Sequence, residues 1–200
     1  MLRLLARYDT VLQTHPLPTK MATAGLLSTS TDLALQSTAG VPPLEQDHHR
    51  TARQAIWSGV IMAPNLHVWM NVLARIPSLF SIPAPLLRLA VDTFTFMPAS
   101  HVAYVAFLST AAHGSAAHIE ADMREKLEPL LRAGYAVIPP VMLVNLMVVP
   151  LRFRVLFINT LLGVGYGSYM NYVINRRAAA AVEPEAKERI RALARRVSYA

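Results

Sequence analysis

Four polar side chains stand in parts of the chain that otherwise carry almost no charge. They are two carboxylates, one imidazole and one amide, at Asp32, His67, Asp92 and Asn145. A charge at the centre of a lipid bilayer costs from about 3 to over 10 kcal/mol, so polar groups in such segments normally mark a pathway for polar solutes or a partner on another helix. The chemistry that these residues could provide is solvation of a small solute, and together they form a candidate polar path.

Each of the four residues also has a structural interpretation. Asp32 and Asp92 could both lie near helix ends, and Arg88 could pair with Asp92 because the two are four residues apart. His67 could hydrogen-bond to another helix. Asn145 could bridge two helices, because an unsatisfied amide in hydrocarbon is costly. Both interpretations stay open on the sequence alone.

Four long uncharged stretches must position these residues. No Asp, Glu, Lys or Arg occurs between Arg53 and Arg75, from Thr93 to Ile119, from Ala133 to Leu151, or from Val155 to Asn175. Each stretch can cross a hydrocarbon layer of roughly 30 Å, which needs about 20 residues of helix. A fifth stretch, Lys20 to Gly40, is weaker because it contains an acid and several hydroxyls. The sequence therefore predicts an all-α, multi-pass transmembrane helical bundle of about four to five spanning helices.

One membrane domain over residues 1–177 and a basic tail over residues 178–200 account for the chain. Residues 1–13 place their apolar side chains on one face, which is typical of an amphipathic helix. This helix could lie on the membrane surface or could be a short mitochondrial targeting segment. The tail predicts a second amphipathic helix, either resting on anionic lipid or solvated. Residues 115–132 mix acids and bases, which indicates a solvated or interfacial helix that connects two spans.

The composition excludes several classes of protein. Of 200 residues, 54% are hydrophobic and only 16% are charged, which is too little charge to cover a soluble domain of this size. The net charge of +7 comes mainly from bases at the ends of apolar stretches, such as Lys20 and Arg152, where they can reach lipid headgroups. The predicted partner is therefore the lipid bilayer and not nucleic acid. With no Cys, no cluster of His and no Ser-His-Asp spacing, we expect no cofactor, no metal site and no enzymatic activity.

Glycines and prolines are expected to shape the contacts between helices. Gly163 and Gly167 lie about one helical turn apart, and such a pair of small residues lets two helices approach closely in lipid, so we predict a close contact there. A stripe of small and polar residues on the first span should also face other helices. The members of this stripe are Gly25, Ser28, Thr29, Asp32 and Gln36. The other candidate packing positions are Pro64, Pro98 and Pro139.

Several of these landmarks occur together with the spacing of one known family. The motifs are Arg50-Thr51-Ala52-Arg53, then Gly59, Pro64, His67 and Trp69, later Arg88 and Asp92, and finally Asn145, Pro150 and Arg154. Over about residues 5–175 the arrangement resembles the Mpv17 family, which includes the twenty-two-kilodalton peroxisomal membrane protein. Thr31, Thr93 and Ile138 stand where that family has glycine, glutamine and tryptophan, so the chain resembles a divergent member.

The resemblance implies an integral protein of the mitochondrial inner membrane, with the peroxisomal membrane as the alternative, and about four spanning helices. It also implies a weakly selective channel for small solutes or metabolites. The motif residues that it carries over are Arg50, Arg53, Trp69, Arg88, Pro150 and Arg154. The competing hypothesis is a non-transporting scaffold or partner-binding protein of the membrane, and a homo-oligomer is compatible with either. A conduit needs a continuous hydrated stripe, whereas a scaffold needs every intramembrane polar group to be paired.

Overall fold

A computed structural model describes residues 2–79 and 81–174 of the chain. Within these ranges the regular structure is helical and contains no β-strand. The helices include α1 (Leu2–Thr14), α2 (Pro16–Thr38), α3 (His48–Ala55), α4 (Ala63–Ala74), α5 (Ala84–Val91), α6 (Met97–His113), α7 (Ala116–Met147) and α8 (Leu151–Leu161). The all-α class is therefore confirmed. The predicted helix of the tail, residues 178–200, lies outside the described residues.

Three π-helical turns join the shorter helices into longer rods. Ile56–Met62 links α3 to α4, Asp92–Phe96 links α5 to α6, and Leu162–Tyr166 links α8 to a helix over residues 167–174. The first two turns come shortly before Pro64 and Pro98, whose missing N–H and bulky ring oppose a regular α-helix in the preceding turn. The chain thus forms three rods, over residues 48–74, 84–113 and 151–174, beside α2 and α7.

Residues 116–147 form one helix, and the predicted division of this region is wrong. A solvated connector over residues 115–132 and a separate span after it are expected from the sequence, whereas α7 is unbroken from Ala116 to Met147. Charged pairs one turn apart, Arg124 with Glu120 and Arg132 with Glu128, lie exposed on this helix. Pairs with this spacing support a helix, so the mixed charges do not end it.

The rods and α7 share their apolar cores, while α2 is packed among them. One core joins α4, α7 and α8 through residues such as Leu66, Leu146 and Val155. A second core contains Trp57 of the first π-helical turn and Leu130 of α7. Helix α2 contacts α1, the rod 48–74 and α8. It therefore lies where a polar side chain can reach several helices.

One helix among the described residues, α7, is both long and apolar enough to cross a membrane by itself. The three rods are each divided by a π-helical turn, and α2 carries many polar residues. The predicted four to five membrane crossings therefore stay a prediction.

Candidate functional site: two buried charges on helix α2

The buried face of α2 is polar rather than apolar. Its buried residues are Thr19, Lys20, Ala24, Asp32 and Gln36. Lys20 is 3% exposed and Asp32 is 0% exposed. Burying a charge is expensive unless it is paired and hydrogen-bonded. The partners of these two residues therefore decide what α2 can do.

The carboxylate of Asp32 is fully enclosed by hydrogen-bond donors. One oxygen accepts from Arg50 Nε at 2.9 Å and from Asn171 Nδ2 at 2.6 Å. The other accepts from Thr51 Oγ1 at 2.6 Å and from Gln36 Nε2 at 2.8 Å. These donors come from α2, from α3 and from the helix over residues 167–174. Asp32 thus connects three helices, so its partners lie on other helices of the same bundle.

The same network fixes the connection between α2 and α3. The side-chain oxygen of Gln36 accepts from the backbone N–H of Asp47 at 2.7 Å, and the carboxylate of Asp47 caps α3 by accepting from the N–H of Arg50 at 2.9 Å. A side-chain cap of this kind satisfies a donor that has no partner within its own helix. Arg53, one turn further along α3, is half-buried.

Asp92 is paired with Trp69, so the pairing with Arg88 that the sequence left open is not made. Trp69 Nε1 donates to the carboxylate of Asp92 at 2.7 Å, and the indole stacks on Phe96 with ring centroids 5.1 Å apart. The guanidinium of Arg88 instead donates to the carbonyl oxygens of Ala74 and Ile76, each at 3.0 Å. Carbonyls at the end of a helix lack intrahelical partners, and Arg88 supplies donors for the end of α4.

Arg154 does the same for the end of α7. Its guanidinium donates to the carbonyl oxygens of Leu146 and Val149, each at 3.0 Å. Pro150 separates these carbonyls from α8, where Arg154 lies. Two arginines of the predicted motif therefore hold helix ends together.

Lys20 has a partner of a different kind. Its ammonium lies 3.0 Å from Nδ1 of His67. Because an ammonium has only donors, Nδ1 accepts this bond, which leaves the proton of a neutral imidazole on Nε2. Among the described residues no carboxylate forms an ion pair with Lys20. The expectation that Lys20 reaches lipid headgroups is wrong for this structure, because the side chain is buried against α4.

A cavity of about 320 Å³ lies beside this pair of residues. It opens between the start of α2, α4 and the start of α8, and we call it the basic pocket. Its lining residues are Pro16, Lys20, His67, Met70, Asn71, Leu151, Arg152 and Val155.

Asn145 is completely buried in an apolar and sulfur-rich setting. Its Nδ2 lies 3.9 Å from the sulfur of Met70 and 3.7 Å from the sulfur of Met142, which are weak acceptors. Its side-chain oxygen has no hydrogen-bond partner among the described residues. Asn145 therefore forms only weak hydrogen bonds, and the bridge between helices that the sequence suggested is weak.

The members of the candidate polar path are not bonded to one another in the described part of the chain, and their common path stays a prediction. No hydrogen bond or ion pair there joins any two of its four members, Asp32, His67, Asp92 and Asn145. Of these, His67 lines the basic pocket. No group of three His, Asp or Glu side chains in the described residues could hold a metal ion.

The close helix contact lies at Gly25 and Gly59 rather than at Gly163 and Gly167. A Cβ at Gly59 would lie 2.9 Å from the carbonyl oxygen of Met21 and 3.3 Å from Cα of Gly25. A Cβ at Gly163 would meet no heavy atom of the described residues within 4 Å, and one at Gly167 would meet a carbonyl of its own helix at 3.4 Å. Gly25 packs closely against Gly59 as predicted, and Asp32 and Gln36 of the predicted stripe face other helices. The predicted contact at Gly163 and Gly167 is wrong.

Another buried polar contact is not evident from the sequence. The hydroxyl of Tyr166 donates to the carbonyl oxygen of Leu130 at 2.6 Å and lies 2.7 Å from Nε2 of His101. A Cβ at Gly134 would come within 3.1 Å of both side chains, so the glycine leaves room for this contact. The only sequence signal is that His101, Gly134 and Tyr166 lie in uncharged segments.

Comparison with known proteins shows which class of protein this bundle represents. The chain is 30% identical over 165 residues to the mitochondrial inner membrane protein Mpv17 of Caenorhabditis elegans, with 82% of this chain and 90% of that protein covered. It is 30% identical over 164 residues to peroxisomal membrane protein 2 of Bos taurus, with 78% and 83% covered. It is 28% identical over 169 residues to protein SYM1 of Gibberella zeae, with 83% and 94% covered. These relatives place the chain among membrane proteins of mitochondria or peroxisomes, which confirms the predicted localisation.

Within that class, residues 109–171 match the Mpv17 / PMP22 family. The chain belongs to this family, as its motifs predict. No solved structure gives a significant match to the chain.

Proposed function

We propose that the protein crosses an organellar membrane four or five times. At 1.5 Å per residue, α7 and the three rods are about 35–50 Å long, and a hydrocarbon layer is about 30 Å thick. Large apolar side chains would face lipid along them, and they include Val60, Val68, Phe94, Val102, Val144, Met147 and Leu161, all exposed in the bundle. Alkaline carbonate should leave the protein in the membrane pellet, and recovery in the soluble fraction would contradict this proposal.

The membrane that we propose is the mitochondrial inner membrane. The similarity to the worm Mpv17 protein supports this choice, and so does the basic N-terminal segment that precedes α2. Imaging of the full-length protein and of a variant without residues 1–20 tests it. Colocalisation with a peroxisomal marker would favour the alternative.

We further propose that the protein is a non-enzymatic, weakly selective conduit for small solutes. The observation that supports this function is the basic pocket, a cavity between α2, α4 and α8 that contains a buried cation. A bundle that needs only to pack its helices gains nothing from a buried lysine beside a cavity, because this charge is costly in a membrane. The arrangement observed would then be a closed form, since Asp32 and Asp92 are both held in interhelical contacts.

Solute efflux from liposomes tests the conduit. Purified protein would be reconstituted into liposomes that hold labelled solutes of graded size, from inorganic ions to dextrans. We expect release of the small solutes and retention of the dextrans. Empty liposomes and liposomes with an unrelated helical membrane protein serve as controls. Equal retention of all solutes by liposomes with folded protein would contradict the proposal.

A second candidate function is a scaffold without transport. The observation that favours it is the complete set of donors around Asp32, which joins α2, α3 and the helix over residues 167–174. A scaffold predicts that loss of these contacts lowers stability and that the folded protein releases no solute. The liposome experiment separates the two functions.

A further inference from the structure

The basic pocket offers hydrogen-bond donors that lack an anionic partner among the described residues. Lys20 is nearly fully buried, and it lines the cavity. Its one hydrogen-bond partner there is the neutral acceptor Nδ1 of His67. An ammonium has three N–H groups, so two remain for another acceptor. A buried cation of this kind is stabilised most by an anion that enters the cavity.

Two other polar side chains of the basic pocket are donors as well, whereas Asn71 uses its amide N–H on the carbonyl oxygen of His67 at 2.7 Å. The hydrogen bond from Lys20 leaves an N–H on Nε2 of His67, and the guanidinium of Arg152 lies on the rim. Pro16 at the start of α2 also lines the cavity, but proline has no N–H, so it offers no hydrogen-bond donor. Lysine and arginine are side chains with which proteins commonly bind phosphate.

One carboxylate opposes this charge. Asp9 lies 3.8 Å from the guanidinium of Arg152 and accepts a hydrogen bond from Gln13 at 2.8 Å. It partly neutralises Arg152 at the rim, where both side chains are partly exposed. It forms no ion pair with Lys20 in the described structure. The inner part of the cavity therefore stays positive.

We propose that the basic pocket binds a phosphate group, with Lys20 and His67 as inner donors and Arg152 as the outer one. The group could belong to a free phosphate or small phosphorylated solute, or to a phospholipid headgroup. Met70, Leu151 and Val155 complete the wall and could contact an apolar part of such a ligand. As the solute class of the conduit this inference rests on the proposed function, but binding is tested without any flux.

Thermal unfolding of the full-length protein in neutral detergent tests the binding. Inorganic phosphate is compared with sodium chloride at equal ionic strength in a phosphate-free buffer. We expect phosphate to raise the melting temperature in a saturable way, because a ligand of the folded state stabilises it. In Lys20→Met the shift should be lost, with affinity lower by about tenfold or more. Without phosphate this variant should be at least as stable as the unmodified protein, since an unpaired buried charge is gone.

Two further variants control the experiment. Arg152→Gln removes a donor from the exposed rim, so it tests the site even if Lys20→Met does not fold. It should weaken the effect of phosphate. Arg132→Gln removes one positive charge from the exposed surface of α7, far from the basic pocket in sequence and not part of its lining. It should keep the full effect.

The source of the phosphate group is resolved by a lipid arm. Delipidated protein would be titrated with phosphatidic acid and, separately, with phosphatidylcholine in mixed micelles. A Lys20-dependent shift with inorganic phosphate supports the site with a free ligand, and one with phosphatidic acid alone supports it with a headgroup. No shift in either arm, or shifts in both Lys20→Met and Arg152→Gln as large as in the unmodified protein, would overturn the site. Binding without liposome efflux would contradict the conduit alone, and efflux without binding would contradict the site alone.

Discussion

Helix α2 carries two buried charges whose surroundings differ: one is surrounded by hydrogen-bond partners, and the other lies beside a cavity. Asp32 receives four hydrogen bonds from three helices. Lys20, twelve residues earlier and about 18 Å away along the helix, has one neutral partner and a cavity. The first charge is satisfied by the fold, and the second is not.

The difference separates a structural polar residue from one that is free to act on a ligand. A paired and hydrogen-bonded buried charge costs most when one partner is removed, so Asp32 behaves as a cross-link between helices. A buried charge without a counter-ion destabilises the fold in which it lies. Lys20 is therefore the residue for which a role in binding explains the structure, although Asp32 is the more conspicuous of the two in the sequence.

The largest effect is expected for Asp32→Ala. The substitution leaves Arg50, Thr51, Gln36 and Asn171 without their common acceptor, and loss of one partner from a buried charged network typically costs about 3–5 kcal/mol. Unfolding monitored by circular dichroism in detergent measures the change. The matched variant Glu120→Ala breaks an exposed ion pair, which is worth about 0–1 kcal/mol. Equal stability of the two variants would contradict the structural role assigned to Asp32.

A smaller loss is expected where α2 crosses the first π-helical turn. In Gly59→Ala the new methyl would lie 2.9 Å from the carbonyl oxygen of Met21, so the helices must separate, at a cost of about 1–3 kcal/mol. Gly163→Ala places the same methyl in open space and should leave stability unchanged or slightly higher, because alanine favours a helix. Melting temperatures of both variants check this. A lower value for Gly163→Ala than for Gly59→Ala would restore the original prediction of a contact at Gly163.

The smallest effect is expected for Tyr166→Phe. It removes the hydroxyl that joins the carbonyl of Leu130 and the ring of His101, and a net loss of about 1 kcal/mol is typical for one hydrogen bond. The same unfolding measurement detects it. Tyr172→Phe, on an exposed side chain, provides the comparison and should have no effect. A loss in Tyr172→Phe as large as in Tyr166→Phe would contradict the assigned role of this hydroxyl.

The sequence predicts the helices better than their contacts. Long uncharged stretches depend on local composition, so the all-α class can be read directly, although α2 begins at Pro16 and not at Lys20. The break expected between residues 115–132 and the following span is wrong because charges spaced one turn apart favour a continuous helix. The spacing of these charges is a local feature of the sequence, and it favours a helix over residues 115–132 that continues into the next span.

The partners of the buried charges are a different matter. Asn171 lies 139 positions from Asp32, and His67 lies 47 positions from Lys20. These pairings depend on how the rods pack against one another, and the residue pattern within one segment contains no information about that packing. Lys20 illustrates the problem, because a lysine at the start of an apolar span usually extends to the membrane surface. Only its position against α4 shows that it is enclosed.

The most direct test compares Lys20→Met and Asp32→Asn in the same liposome efflux assay, with melting temperatures from the same preparations. For Lys20→Met we expect an unchanged or higher melting temperature and slower efflux of phosphate. For Asp32→Asn we expect a lower melting temperature, because the neutral amide pairs poorly with Arg50, and normal efflux per folded molecule. The reverse result, with efflux lost in a stable Asp32→Asn and retained in Lys20→Met, would contradict the account and make Asp32 the functional charge.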